Sequence, residues 1–324
     1  MSRRALLVLV AVVVTVVFAA IAVRGVDPQA VWDAITSCNP LWLVPSVLLL
    51  GASVVVRAVR WRALFDPSRR PGLWPVIAAT LVGYLFLQIL PLRAGEAARI
   101  FALSQRAGTS KAEIAGTALL ERVYDLVAVL GLLFLLVPWL PEVSWLQAAA
   151  SLAAAVLALI VVAVVVLAVW GDRAVHAVLR PFARLPIVPA DRLEEIGHNL
   201  AQGLVGLRRP GLAVWVLCLS VASRALLGVS FWCVFESFDL GVGVVAGMFA
   251  AIAAGLTAVL PAGPSGIGVF EASVVVALGA YGVDESEALS AALVLHAVSF
   301  VSLVAAGLPV IRFHVRRTIQ AVET

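Results

Sequence analysis

The chain has 324 residues, 63% hydrophobic and 13% charged, with a mean hydropathy of +1.07. Its apolar residues fall in long blocks, which excludes a water-soluble globular domain, a disulfide-knit secreted domain and a disordered chain. The formal charge is +4 and every basic residue except Lys111 is arginine, so the cationic sites are guanidinium forks suited to phosphate or carboxylate, although a GC-rich genome produces the same bias.

Apolar blocks of about 20 residues predict an all-α polytopic membrane protein with about six spanning helices, over 5–23, 41–59, 114–137, 146–170, 212–235 and 288–310. The first block also reads as a signal peptide, since Arg3 and Arg4 precede it and Ala20-Ile21-Ala22 resembles a cleavage site. Two further stretches are broken in mid-course, 75–104 by Pro91 to Gly95 and 242–282 by Pro261 to Gly268. Each reads as a span plus a loop or as a re-entrant hairpin. Charge favours two hairpins. That arrangement collects Arg3 and Arg4, Arg60 to Arg70, Arg106 and Lys111, Arg173 to Arg209, and Arg312 to Arg317 on one side, and leaves Arg24 as the only base on the other. The basic side is then cytoplasmic, with the chain in the cytoplasmic membrane and both termini in the cytoplasm.

Trp42, Trp61, Trp74, Trp139, Trp145, Trp170, Trp215 and Trp232 lie near the proposed helix ends, as interfacial indoles do, and Trp32 falls in a loop. The segment 171–211 reads as a cytoplasmic interfacial helix pair without a catalytic set. Cys38, Cys218 and Cys233 are odd in number and unpatterned, and no His/Cys metal spacing, Walker motif or Gly-x-Ser-x-Gly elbow occurs. No cofactor, metal or nucleic-acid partner is expected. Gly241-Val-Gly-Val-Val-Ala246 matches the dinucleotide fingerprint in form alone, because no strand precedes it.

A single transmembrane domain is expected, built from two repeats over about 41–137 and 212–310. Ser53-Val-Val-Val-Arg57-Ala recurs as Ser220-Val-Ala-Ser-Arg224-Ala. Gly83 to Glu96 corresponds to Gly255 to Glu271, and Ala118-Leu-Leu-Glu121 to Ala292-Leu-Val-Leu295. Under the charge-based topology the units are inverted, a plan of secondary transporters that places substrate at the repeat interface. Chance similarity between Ala/Val/Leu-rich segments is the alternative.

A charged side chain at a helix centre costs roughly 2.5–3.5 kcal/mol on insertion scales, so such groups need partners, water or a function. Arg93, Glu96 and Arg99 follow Pro91 at three-residue steps and share a face; Glu121 and Asp125 share another, with Arg122 about 100° round. Arg57 and Arg224 occupy matching repeat positions, Glu271 follows the second break and His296 lies in the last span. Arg57, Arg93, Arg99, Arg122 and Arg224 outnumber Glu96, Glu121, Asp125 and Glu271 by one cation, which suits an anionic headgroup. Donors freed after the breaks would add to that anion site. Buried ion pairing among these residues is the structural alternative, and Arg57 and Arg60 could instead snorkel to the interface. Gly263, Gly266 and Gly268 permit an unwound segment, while Gly247, Ala251 and Gly255 form a small-residue seam.

These residues together resemble the flippase-like transmembrane region of lysylphosphatidylglycerol synthases and its stand-alone relatives. The resemblance rests on Arg57-Ala-Val-Arg60-Trp61, Leu90-Pro-Leu-Arg93-Ala-Gly95-Glu96-Ala-Ala-Arg99, Glu121-Arg122-Val-Tyr-Asp125, and Leu260-Pro261 through Gly266-Ile-Gly268-Val-Phe-Glu271. It implies movement of a lipid between leaflets along a path lined by the Arg/Glu motifs, without enzymatic activity. Gln88 stands where asparagine is expected and Ser265 where glycine is expected. No aminoacyl-transferase domain follows the last span, so a stand-alone member is expected. Its cargo would be a phospholipid or a polyprenyl-phosphate-linked lipid. The alternatives are a membrane subunit partnering a glycosyltransferase or other lipid-modifying enzyme, and an intramembrane enzyme acting on a lipid phosphate.

Overall fold

A computed structural model describes residues 28–90, 94–107, 111–143, 148, 151–159, 162, 210–258 and 264–323. The expected span 5–23, most of the span 146–170, nearly all of the segment 171–211, and Pro91, Arg93, Pro261 and Gly263 lie outside these residues.

The described residues are all-helical: α1 (Pro28–Ser37), α2 (Leu43–Ala63), α3 (Leu73–Ile89), α4 (Ala94–Ala107), α5 (Lys111–Leu136), α6 (Pro210–Ser237), α7 (Val244–Thr257), α8 (Val269–Gly279) and α9 (Glu285–Glu323). Short 3-10 turns at Pro40–Trp42, Val137–Trp139 and Pro264–Gly266 join or end them. Local chemistry sets several boundaries. The Asn39 side chain accepts from the Leu41 N–H at 3.1 Å, with Pro40 opening the turn that leads into α2. Leu90, the residue before Pro91, is extended (φ −101°, ψ 140°), because the proline ring disfavours helix in its predecessor.

Three described helices are long and apolar enough to cross a membrane: Pro40–Ala63, Gly211–Ser237 and Glu285–Ile311. The expected span 114–137 is a helix of 26 residues, but Glu121, Arg122 and Asp125 at its middle set it apart from those three. Both interrupted stretches are interrupted in the structure, the first between α3 and α4 and the second between α7 and α8. Helices of 21, 17, 14 and 26 residues, α2 to α5, are followed by helices of 28, 14, 11 and 39 residues, α6 to α9. The order long, short, short, long thus occurs twice.

α2 packs along α6, where Ser46 Oγ and Ser230 Oγ are 3.0 Å apart and Ser230 also donates to the Ser46 carbonyl at 2.8 Å. Lipid tails are as apolar as leucine, so close packing and interhelical hydrogen bonds replace the hydrophobic drive here. Two glycine crossings show this. A Cβ on Gly95 would lie 2.2 Å from the Gly83 carbonyl oxygen, and one on Gly247 would lie 2.5 Å from that of Gly228. The main apolar core gathers Phe231, Phe235, Phe249, Ile252, Leu278 and Leu295.

Two tryptophan expectations are corrected. Trp32 lies on α1, not in a loop, and Trp61 is 1% exposed, not interfacial. Trp74, Trp139 and Trp215 are exposed, and Trp42 packs edge-on against Trp232 at 5.7 Å between centroids.

Candidate functional site

α2 continues one turn past the expected end of its span, and that turn carries Arg60 into the interior. Its side chain is fully buried, with Nη2 2.6 Å from Glu121 Oε1, Nη1 2.5 Å from Asp125 Oδ1, and Nη1 donating to Ser220 Oγ at 2.9 Å. The spacing of four residues places both carboxylates on one face of α5, within reach of one fork. Snorkelling, the alternative for Arg60, is therefore excluded: the carboxylates hold it inside.

The charged network continues across α4. Arg99 Nη1 lies 2.8 Å from Glu121 Oε2 and its Nε 3.0 Å from Glu96 Oε2, the three-residue step that puts Glu96 and Arg99 on one face. Glu96 also pairs with Arg122. The Arg99 guanidinium lies over the Trp61 ring, 4.7 Å from its centroid, while the indole donates to Thr117 Oγ1 at 3.1 Å. Gly83 makes this approach feasible, since a Cβ there would lie 2.8 Å from Arg99 Cβ.

Arg57 and Arg224 are held more loosely. Arg57 donates to the Tyr84 hydroxyl at 3.1 Å, and Arg224 Nη2 lies 3.8 Å from Asp125 Oδ2. Arg224 Nε and Arg99 Nη2 are buried donors without an acceptor among the described residues. The Arg224 fork occupies the space that Gly255 leaves, because a Cβ there would be 2.8 Å from its Nη1. Gly255 was expected in a helix-packing seam; it makes room for a cation instead.

Arg57, Tyr84, Arg122, Asp125 and Arg224 line the polar part of a cavity of about 480 Å³ whose remaining wall is mainly apolar, including Leu50, Val54, Leu126, Phe231, Phe270 and Leu303. Counting formal charges, Arg57, Arg60, Arg99, Arg122 and Arg224 face Glu96, Glu121 and Asp125, a surplus of two cations in the cluster.

Glu271 does not join that cluster. Its Oε1 is 2.5 Å from His296 Nδ1 and its Oε2 accepts the Gly268 N–H at 2.7 Å, capping α8. Ser265 Oγ donates to Gln88 Oε1 at 2.5 Å and lies 2.5 Å from His296 Nε2. The two residues that depart from the resembled pattern, Gln88 and Ser265, thus touch each other. Under the repeat correspondence Glu96 matches Glu271 and Arg122 matches His296, so each unit pairs a short-helix glutamate with a base on its last long helix.

Sequence reasoning omitted Arg60, Tyr84, Ser220, Gln88 and Ser265 from the site. The signal for Arg60 was its three-residue step from Arg57, which keeps both on one side of α2. Among the described residues no group of His, Cys, Asp and Glu could hold a metal ion.

The sequence profile of the lysylphosphatidylglycerol synthase TM region matches residues 8–307. The chain belongs to this family. It is 25% identical over 219 residues to UPF0104 membrane protein MJ1078 of Methanocaldococcus jannaschii, an alignment covering 68% of this chain and 89% of that protein. It is also 25% identical over 338 residues to glycosyltransferase AglD of Haloferax volcanii, covering 91% of this chain and 52% of that protein, about half its length. This family member is therefore a membrane protein whose charged motifs meet in the bundle interior.

Proposed function

We propose that the protein moves an anionic or phosphate-bearing lipid between the leaflets of the cytoplasmic membrane, without making or breaking a covalent bond. The carrying observation is the cationic surplus at the polar part of a mainly apolar cavity, with an Arg224 donor left without an acceptor among the described residues. A phosphate in that cavity would offset the surplus of Arg57, Arg122 and Arg224 over Asp125. The headgroup would sit among Arg57, Arg122 and Arg224, while the acyl or prenyl chains stay against Leu50, Val54 and Phe270 or in the bilayer. Arg60 and Arg99 would position Glu121, Asp125 and Glu96. Arg93 is assigned to the same path on its motif. The two four-helix units are taken as inverted, with both termini cytoplasmic and the interrupted stretches acting as re-entrant hairpins. Proteoliposomes carrying fluorescent phosphatidylglycerol test this reading: dithionite-accessible label should redistribute with the wild-type protein, and equal redistribution in empty vesicles would end it.

A second reading is a membrane subunit working beside a lipid-glycosylating enzyme. The similarity to a protein named glycosyltransferase favours it, since that protein is about twice as long as the aligned region. Stable co-purification with a glycosyltransferase from the native membrane, together with no lipid movement by the purified chain, would select it.

A further inference from the structure

We infer that the headgroup site of the cavity takes a phosphomonoester, a lipid phosphate with two negative charges on one phosphorus, in preference to the singly charged phosphodiester of a common phospholipid. The inference rests on the lipid-passage reading and names the substrate class of that same site.

Charge carries the argument. Arg57, Arg122, Arg224 and Asp125 are the charged residues among those lining the cavity, an excess of two cations. The wider network keeps the same excess, because it adds Arg60 and Arg99 together with Glu96 and Glu121. Glu271 is not among the lining residues, and its oxygens are taken by the Gly268 N–H and by His296. A guanidinium does not shed its proton, so the excess is relieved only by an anion. Charge held away from bulk water is costly unless it is paired, which favours the ligand that cancels it fully. A phosphodiester leaves one cation unmatched. A phosphomonoester, whose second pKa is about 6 in phosphorylated side chains, leaves none at neutral pH.

The arrangement of donors agrees. Arg224 Nη2 lies 3.8 Å from Asp125 Oδ2, Arg57 and Arg224 are within Coulombic range of each other, and Arg122 stands almost one turn before Asp125 on α5. The three cations thus gather about one carboxylate and border one volume. Three forks suit the three terminal oxygens of a monoester, where a diester presents two.

Size fixes where the anion sits. The pocket among Thr80, Glu96, Arg99 and Glu121, which shares Arg57 and Tyr84 with the cavity, holds about 20 Å³, room for about one water. The cavity holds about 480 Å³, so a methyl group added to the phosphate is not refused on volume. A preference for the monoester over its methyl ester therefore reads charge and terminal oxygens. The apolar wall, with Leu50, Val54, Leu126, Val129 and Phe231, assigns the phosphate to a lipid rather than to the free ion.

Competition against acyl-labelled fluorescent phosphatidic acid, read by anisotropy on the full chain in dodecyl maltoside at pH 8, tests the assignment. Dioctanoyl phosphatidic acid should compete at least about tenfold more strongly than dioctanoyl phosphatidylmethanol, which differs by one methyl group and one charge. Inorganic phosphate should compete at least about a hundredfold more weakly than phosphatidic acid, for want of chains. Arg224→Gln removes one cation and should reduce the monoester advantage to less than about threefold; Arg57→Gln is the second variant, used if the first is polydisperse on size exclusion. No saturable binding of the labelled lipid, equal competition by phosphatidylmethanol, or an advantage untouched by both substitutions overturns the inference. Inorganic phosphate competing as well as phosphatidic acid overturns the lipid source, and a diacylglycerol diphosphate binding more tightly overturns the single phosphorus. Proteoliposomes separate the two readings. Movement of fluorescent phosphatidylglycerol without a monoester advantage would end this inference alone, whereas a monoester advantage with no lipid moved would keep the site and end the passage reading.

Discussion

Arg60 Nη1 and Asp125 Oδ1 are 2.5 Å apart across the contact between α2 and α5, and the Arg60 side chain has no exposed surface. One guanidinium thus neutralises two carboxylates inside the bundle. Arg60→Ala should leave Glu121 and Asp125 without their shared cation, a change worth about 3–5 kcal/mol for a buried pair. Size-exclusion profiles after a temperature ramp should show collapse at a much lower temperature than wild type. Arg60→Lys should restore little, because an ammonium lacks the fork that spans both acids.

Arg224 presents the opposite case. It lines the cavity and stands 3.8 Å from Asp125 Oδ2, so Arg224→Ala removes a ligand more than a strut. Thermal stability should stay close to wild type while movement of fluorescent phosphatidylglycerol falls at least tenfold. Equal loss of both would make Arg224 structural.

The α3–α4 crossing depends on Gly95 having no side chain. Gly95→Val should place carbon against the Gly83 carbonyl and separate the helices, with destabilisation of at least about 1–3 kcal/mol from overpacking. Gly51→Ala on α2 is the control: nothing lies within 4 Å of its Cβ position, and helix propensity predicts a gain of about 0.5–1 kcal/mol. Thermal melts in one detergent compare them.

Trp61 joins two interactions that separate by mutation. Trp61→Phe keeps a ring under Arg99 but abandons Thr117, and should cost roughly 0.5–1.5 kcal/mol. Adding Thr117→Val should recover little of that loss, since the hydroxyl keeps its bond to the Ile114 carbonyl at 2.8 Å when the indole is gone. A double-mutant cycle in thermal stability measures the coupling.

Much of the charged centre was legible because residues on one helix face recur at three- and four-residue steps. Glu96 with Arg99, and Glu121 with Asp125, share faces by their spacing alone. Which partner each face met was a question of α2 and α5 lying side by side, and the helical period of one segment carries no such information. Arg60 was misread for this reason: near an expected helix end, an arginine reaching water and one turned inward look alike. Trp61 failed in the same way, as an indole near a span boundary that is roofed by Arg99. The breaks around Pro91 and Pro261 were readable from proline and glycine chemistry. The bond between Gln88 and Ser265 was not, because it joins segments 177 positions apart.

The three charges at the middle of α5 bear on how the protein is made. Alone, that helix would meet a barrier of several kcal/mol on leaving the translocon for lipid. Its counterion is synthesised 61 residues ahead of Glu121, on a strongly apolar helix able to insert unaided. If α5 enters the bilayer after α2, Arg60 is already in place to meet Glu121 and Asp125 as they leave water, so α2 is expected to assist that entry. A deletion or inversion of α2 should leave α5 stranded in the aqueous phase, where quality-control proteases would find it.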